Sequence, residues 1–151
     1  MESVYNILKH AHSGLRWVVL ILLIYAVYNA FSKKKGGDYT EGDRKLNLFT
    51  MVSTHTMLLI GLIMYFMNPY IHLLWGNMGA AMKISAARHM VLEHPLGMLA
   101  ALVLITIGHS KSKKASGADK HKKIFTFYLI GLILILLSIP WPFRFEGAGW
   151  F

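Results

Sequence analysis

Histidines set inside apolar stretches are the residues of this chain whose type and placement could do chemistry. His12, His55 and His94 each sit within or at the lip of a long run of apolar residues. An imidazole there is costly without a partner, so its functional reading comes first. Two imidazoles from facing helices at similar depth make a bis-histidine site for haem iron. A lone one can relay a proton or contact a quinone. The competing reading is structural, a neutral imidazole bonded to a hydroxyl or carbonyl across a helix bundle.

The elements that carry these residues are four stretches, 15–31, 46–67, 89–109 and 124–141, each nearly free of charge. At 1.5 Å per residue each approaches the roughly 30 Å of a bilayer's hydrocarbon core. The chain has 151 residues, 55% of them hydrophobic, and a mean hydropathy of +0.46. The spans leave no room for a separate soluble domain. The expectation is one domain over 1–151: an all-α, integral membrane four-helix bundle, up-down-up-down, with short loops. A membrane barrel would show short alternating segments instead. No cleavable signal peptide is evident before Trp17, so the first span is expected to be retained.

The net charge of +9 does not read as a nucleic-acid footprint. Eleven of the 16 basic residues fall at Lys33–Lys45 and Lys111–Lys123, the connections after spans one and three. The positive-inside rule puts both in the cytoplasm and both termini outside, in a bacterial inner membrane. Trp17, Trp75, Trp141 and Trp150 then share the outer side as an aromatic belt. There are no cysteines, which excludes disulfides, Cys-ligated clusters and covalently attached haem. No phosphate loop, HExxH motif or paired in-membrane carboxylates are present, so the chain is at most an electron-transfer subunit.

Depth selects among the histidines. His12 lies at the outer lip of span one, and His94 lies roughly 6 Å into span three from the same side. His55 enters span two from the opposite side and lies roughly 12 Å from it. His12 and His94 are therefore the expected iron ligands, with His55 at the inner edge or unligated. Gly97, Ala101 and Gly108 share the His94 face, where small residues admit either a porphyrin or another helix. Arg16 follows His12 by one turn and suits a haem propionate, or snorkels to headgroups. Glu93 has Arg16, Arg88 or a histidine as expected partner. His72, His89, His109 and His121 read as ordinary residues of span edges or loops. Pro95 frees a carbonyl one turn earlier, which a neighbour must satisfy. The apolar connection YIHLLWGNMGAAMKISAA is expected to lie on or dip into the interface, where it could cap a cofactor.

The segments LKHAHSGLRWVVL, LNLFTMVSTHTMLLIGLIMYF, EHPLGMLAALVLITIGHSKSKK and FYLIGLILILLSIPWPFR together resemble a bacterial family of small four-span membrane proteins often labelled "cytochrome B". The resemblance covers most of the chain. It implies non-covalent haem b and membrane electron transfer, with His12, His55 and His94 at the motif positions. A looser similarity is to small four-span haem-biosynthesis oxidases, which also place a histidine early in span one. A second stacked haem would need a histidine pair at the lysine-rich side, which is missing.

The expected function is therefore a one-haem cytochrome that exchanges electrons in or next to a respiratory chain, with quinone a possible second ligand. The alternative is an accessory subunit of a larger membrane complex, without its own cofactor. Expected partners are the bilayer and other membrane subunits.

Overall fold

Four long helices form in the computed structural model, which describes residues 2–145 and 149–150. The end residues Met1 and Phe151, included in the expected domain, lie outside the described residues. Helix α1 spans Glu2–Lys33 and α2 spans Glu41–Met67. Three short helices follow, α3 (Pro69–Gly76), α4 (Met78–Lys83) and α5 (Ser85–Arg88). A π-turn, His89–Glu93, joins α5 directly to α6 (His94–Lys114), and α7 covers Asp119–Ser138. Among the described residues there is no strand. Four helical stretches are long and apolar enough to cross a membrane: Ser3–Lys33, Glu41–Met67, Ser85–Lys114 and Asp119–Ser138. The chain is a multi-pass membrane protein with an all-α four-helix bundle fold.

The helices outrun the expected spans, and local cap and turn chemistry sets several of their ends. At the start of α2, the Thr40 side chain accepts from the Asp43 N–H while the Asp43 carboxylate accepts from the Thr40 N–H, a capping box. Gly36, at φ 148°, closes the turn out of α1. Pro140 bars continuation of α7 and holds Ile139 in extended backbone, with ψ 130°. Asn68 ends α2 and caps α3, with Pro69 in its first turn.

The spans pack in a ring, α1 on α2 and α7, α6 on α7 and α2. Leu20, Leu23 and Ala26 of α1 meet Ala101 and Ile105 of α6 and Ile124, Tyr128, Leu132 and Ile135 of α7. Large apolar side chains such as Ile21, Tyr25, Leu59, Val103 and Leu137 face outward, as lipid allows. The α6–α7 seam is the tightest. A Cβ at Gly108 would lie 2.5 Å from Phe127 Cβ, and one at Gly131 would lie 2.9 Å from Ile105 Cγ1. The α2–α6 seam is the thinnest of the four.

Candidate haem site between the spans

The thin seam leaves a cavity of about 750 Å³ at one end of the bundle. Its walls come from α1 (His12, Ser13, Arg16), α2 (Met57, Gly61, Tyr65) and the third span (His89, His94, Met98). Ile135 and Ile139 close it from α7, and Asn68, Ile71 and Ala86 of the long connection reach it, as a capping segment should. A volume of this size suits a cofactor or large ligand.

His12 and His94 face each other there, with ring centroids 6.5 Å apart and planes at 74°. A metal–imidazole bond of about 2 Å puts two rings that share one metal at centroids roughly 6 Å apart, a spacing close to that of this pair. His12 lies ten residues after Glu2 and His94 nine after Ser85, about three turns into each helix. The depth mismatch expected from the apolar runs vanishes because both helices begin earlier than those runs.

The second nitrogen of each ring distinguishes the two. His94 Nδ1–H donates to the Ser138 carbonyl at 2.7 Å, which leaves Nε2 with its lone pair. His12 Nδ1 is buried without a partner among the described residues. A Cβ at Gly61 would lie 3.0 Å from His12 Cε1, so glycine makes the space for that ring.

Ser138 is the last residue of α7, and its carbonyl lies in the final turn, where no following helical N–H can take it. His94 takes it, and so does His89, through Nε2 at 3.0 Å. His89 is thus no span-edge residue. It is 2% exposed, its ring lies 6.0 Å from that of His94 and 4.5 Å from that of Phe145, and its Nδ1 lies 3.2 Å from Glu93 Oε2. Glu93 also accepts from Arg88 Nε at 2.7 Å. Of the partners expected for it, Arg88 and a histidine are met. The π-turn makes this cluster: His94 N–H bonds to His89 O, five residues back. Tyr65 Oη donates at 2.8 Å to the Val91 carbonyl, the one that Pro95 frees.

Arg16 lines the cavity, but its guanidinium donates to the Trp150 carbonyl, and its Nε is buried and unpaired among the described residues. Trp17, Trp141 and Trp150 cluster beside it, with centroids 6.1–6.4 Å apart.

Two expected site residues lie elsewhere. His55 does not line the cavity. Its Nδ1 bonds the Met51 carbonyl at 2.9 Å and its Nε2 lies 3.5 Å from Thr106 Oγ1, the structural arrangement for a bundle imidazole. Gly97 does not line it either; a Cβ there would lie 2.0 Å from Ser138 Oγ. The small-residue stripe of α6 serves the approach of α7, not of a porphyrin. His109 and His121, expected at edges or in loops, are 5% and 0% exposed at the opposite end. His121 Nε2–H donates to the Asp38 carbonyl at 3.1 Å, and its ring lies 5.0 Å from that of Tyr39, tilted by 53°.

Among the described residues no group of three or more His, Cys, Asp or Glu side chains is disposed to hold a metal ion. A metal at the His12–His94 pair would take its other ligands from outside the protein, as porphyrin-bound iron does. Comparison with family models, curated proteins and solved structures finds no match, so the site is read from its own geometry.

Proposed function

We propose that this protein binds haem b non-covalently between His12 and His94 and takes part in membrane electron transfer, within or beside a respiratory chain. The supporting observation is the pair itself: two imidazoles from facing helices, 6.5 Å apart, over a cavity of about 750 Å³. Bound haem would supply a one-electron couple whose potential its surroundings tune. His94 is pre-oriented for ligation through Nε2 because Ser138 holds its Nδ1, the outer-shell tie that metal-binding histidines use. His12 brings Nδ1, which is unpaired among the described residues. Arg16 and Lys9 at the rim suit propionates. Leu62, Met90, Leu96 and Leu99, exposed along the α2–α6 seam, border the cavity and suit exchange with a lipid-soluble quinone. The lysine-rich ends of the helices favour a bacterial cytoplasmic membrane orientation with those ends inside and both termini outside.

The accessory-subunit reading has one observation in its favour: the bonds of His89 and His94 to Ser138 hold the end of α7 with no ligand. Absorption spectra of the purified full chain, oxidised and dithionite-reduced, separate the readings. A low-spin haem spectrum that His12→Ala and His94→Ala each abolish, and His55→Ala leaves intact, supports the first. A colourless protein that migrates with a large complex and fails to take up added haemin overturns it. Loss of haem in His55→Ala with a normal spectrum in His12→Ala would assign the second ligand to α2.

A further inference from the structure

Where α1 ends and α7 begins, Lys34, Lys35 and Lys122 converge on a surface hollow of about 380 Å³ that Phe125 and Thr126 complete. Among the described residues no acidic side chain lines it. Lys34 Nζ stands 3.8 Å from the Phe125 ring centroid and 4.4 Å from that of Phe31, and the two rings are 5.5 Å apart. The ammonium is therefore fixed over two aromatic faces, not free to sweep the solvent. Lys122 pairs with Asp119 at 2.8 Å, but both side chains are about 60% exposed and such a pair is weak.

The hollow lies where two membrane-crossing helices leave their apolar segments. From it, Phe31, Tyr28 and Ile24 run along one exposed face of α1 toward the bundle's middle, three and seven residues back from Phe31. A cationic concavity at headgroup level that continues into an apolar track matches one amphiphile: an anionic phospholipid, phosphate in the hollow and acyl chains along α1. We propose that this hollow is a specific binding site for the phosphate headgroup of an anionic phospholipid, with Lys34, Lys35 and Lys122 as its cationic contacts. The inference is independent of the haem reading, since the hollow and the cavity share no residue.

Native mass spectrometry of the full chain in detergent with added phosphatidylglycerol tests it. The variant Lys34→Gln/Lys35→Gln/Lys122→Gln is set against Lys111→Gln/Lys113→Gln/Lys114→Gln, which removes the same charge from the end of α6, outside the hollow. The first should retain about tenfold less lipid or worse, and the second should stay within about twofold of the parent, given the attraction of each lysine to an anionic surface. Phosphatidylcholine should be retained weakly by all three proteins, and millimolar inorganic phosphate should not displace bound phosphatidylglycerol. Thermal unfolding by circular dichroism confirms that both variants are folded. Equal losses in the two variants, equal retention of phosphatidylcholine, or displacement by inorganic phosphate would each overturn the proposal.

Discussion

At the lysine-rich end, Asp43 is 4% exposed and each of its oxygens is engaged twice. Asn29 Nδ2 and Lys33 Nζ donate to Oδ1 at 2.6 and 2.7 Å, and Thr40 N and Oγ1 donate to Oδ2, both at 2.8 Å. Nearby, Tyr39 Oη accepts from Asn47 Nδ2 at 3.0 Å, and Tyr128 Oη donates to the Asn47 carbonyl at 2.8 Å. At the other end, His12 and Arg16 each keep a buried nitrogen that is unpaired among the described residues, beside a cavity of about 750 Å³. The lysine-rich end has unpaired buried atoms too, on Asn47, His109, Ser112 and His121, but none of these residues lines the cavity. A buried polar atom left unpaired costs about 1–3 kcal/mol wherever it lies. Only where it faces ligand-sized space does it also point to a ligand. The two ends thus divide the work: one locks the helices, the other holds polar nitrogens that face ligand-sized space.

The sharpest way to break that division is to remove a proposed haem ligand from the open end. His12→Ala should abolish haem binding, if haem is bound there, while the apo-fold survives, because Nδ1 has no partner among the described residues and the loss is confined to ring packing and a backbone contact with Met57. Haemin titration followed by absorbance, with unfolding of the apoprotein alongside, reads both quantities. A His12→Ala protein that fails to fold would make His12 a structural residue and undo the comparison.

Asp43→Ala should do the converse. It strands Lys33, Asn29 and the Thr40 N–H and removes the capping box, for an expected loss of about 3 kcal/mol. Denaturant unfolding by circular dichroism measures it. The folded fraction should still bind haem with parental affinity, because Asp43 lies at the far end of α2 from Gly61 and Tyr65.

A smaller pair of substitutions separates packing glycines from site glycines. Gly108→Ala puts a methyl 2.5 Å from Phe127 Cβ, so the α6–α7 seam must open, at about 1–3 kcal/mol. The nearest atoms that a Gly61→Ala methyl meets are those of the His12 ring, at 3.0 Å and beyond, and that ring can give by a few tenths of an ångström. Its stability should change by less than about 1 kcal/mol, while the spectrum or affinity of haem bound as proposed shifts. The opposite pattern would place the functional contact on α6.

Sequence reading reached the four spans, the shared end of the tryptophans and the meeting of His12 with His94, because side and depth follow from span order and rise per residue. It missed His89 for a geometric reason. At about 100° per residue, His89 and His94 lie about 140° apart on an α-helix. The π-turn stacks residues five apart and so joins them. Their common acceptor, the Ser138 carbonyl, is backbone, and no residue type announces it. Gly97 was ambiguous for a related reason: a small residue marks a close approach without naming what approaches. His109 and His121 looked peripheral because the apolar runs end before the helices do, so the bundle's buried volume extends past its apolar sequence.

The smallest expected effect tests a carbonyl that the sequence did foresee. Pro95 has no N–H, and the Val91 carbonyl one turn earlier loses its helical donor. Tyr65 Oη supplies the replacement at 2.8 Å and itself accepts from Trp75 Nε1 at 3.0 Å. Tyr65→Phe keeps the ring and its contacts with Phe66 and Trp75 but leaves both groups without that oxygen. A loss of about 1 kcal/mol is expected, a fall of roughly 3 °C in Tm for a chain of this length. Because Val91 lies in the π-turn that orients His94, the same substitution should also perturb the spectrum of haem bound as proposed, whereas Thr40→Ala, a cap loss of similar size at the closed end, should lower Tm alone. If both variants move the spectrum equally, the ends are coupled through α2 and the division between them fails.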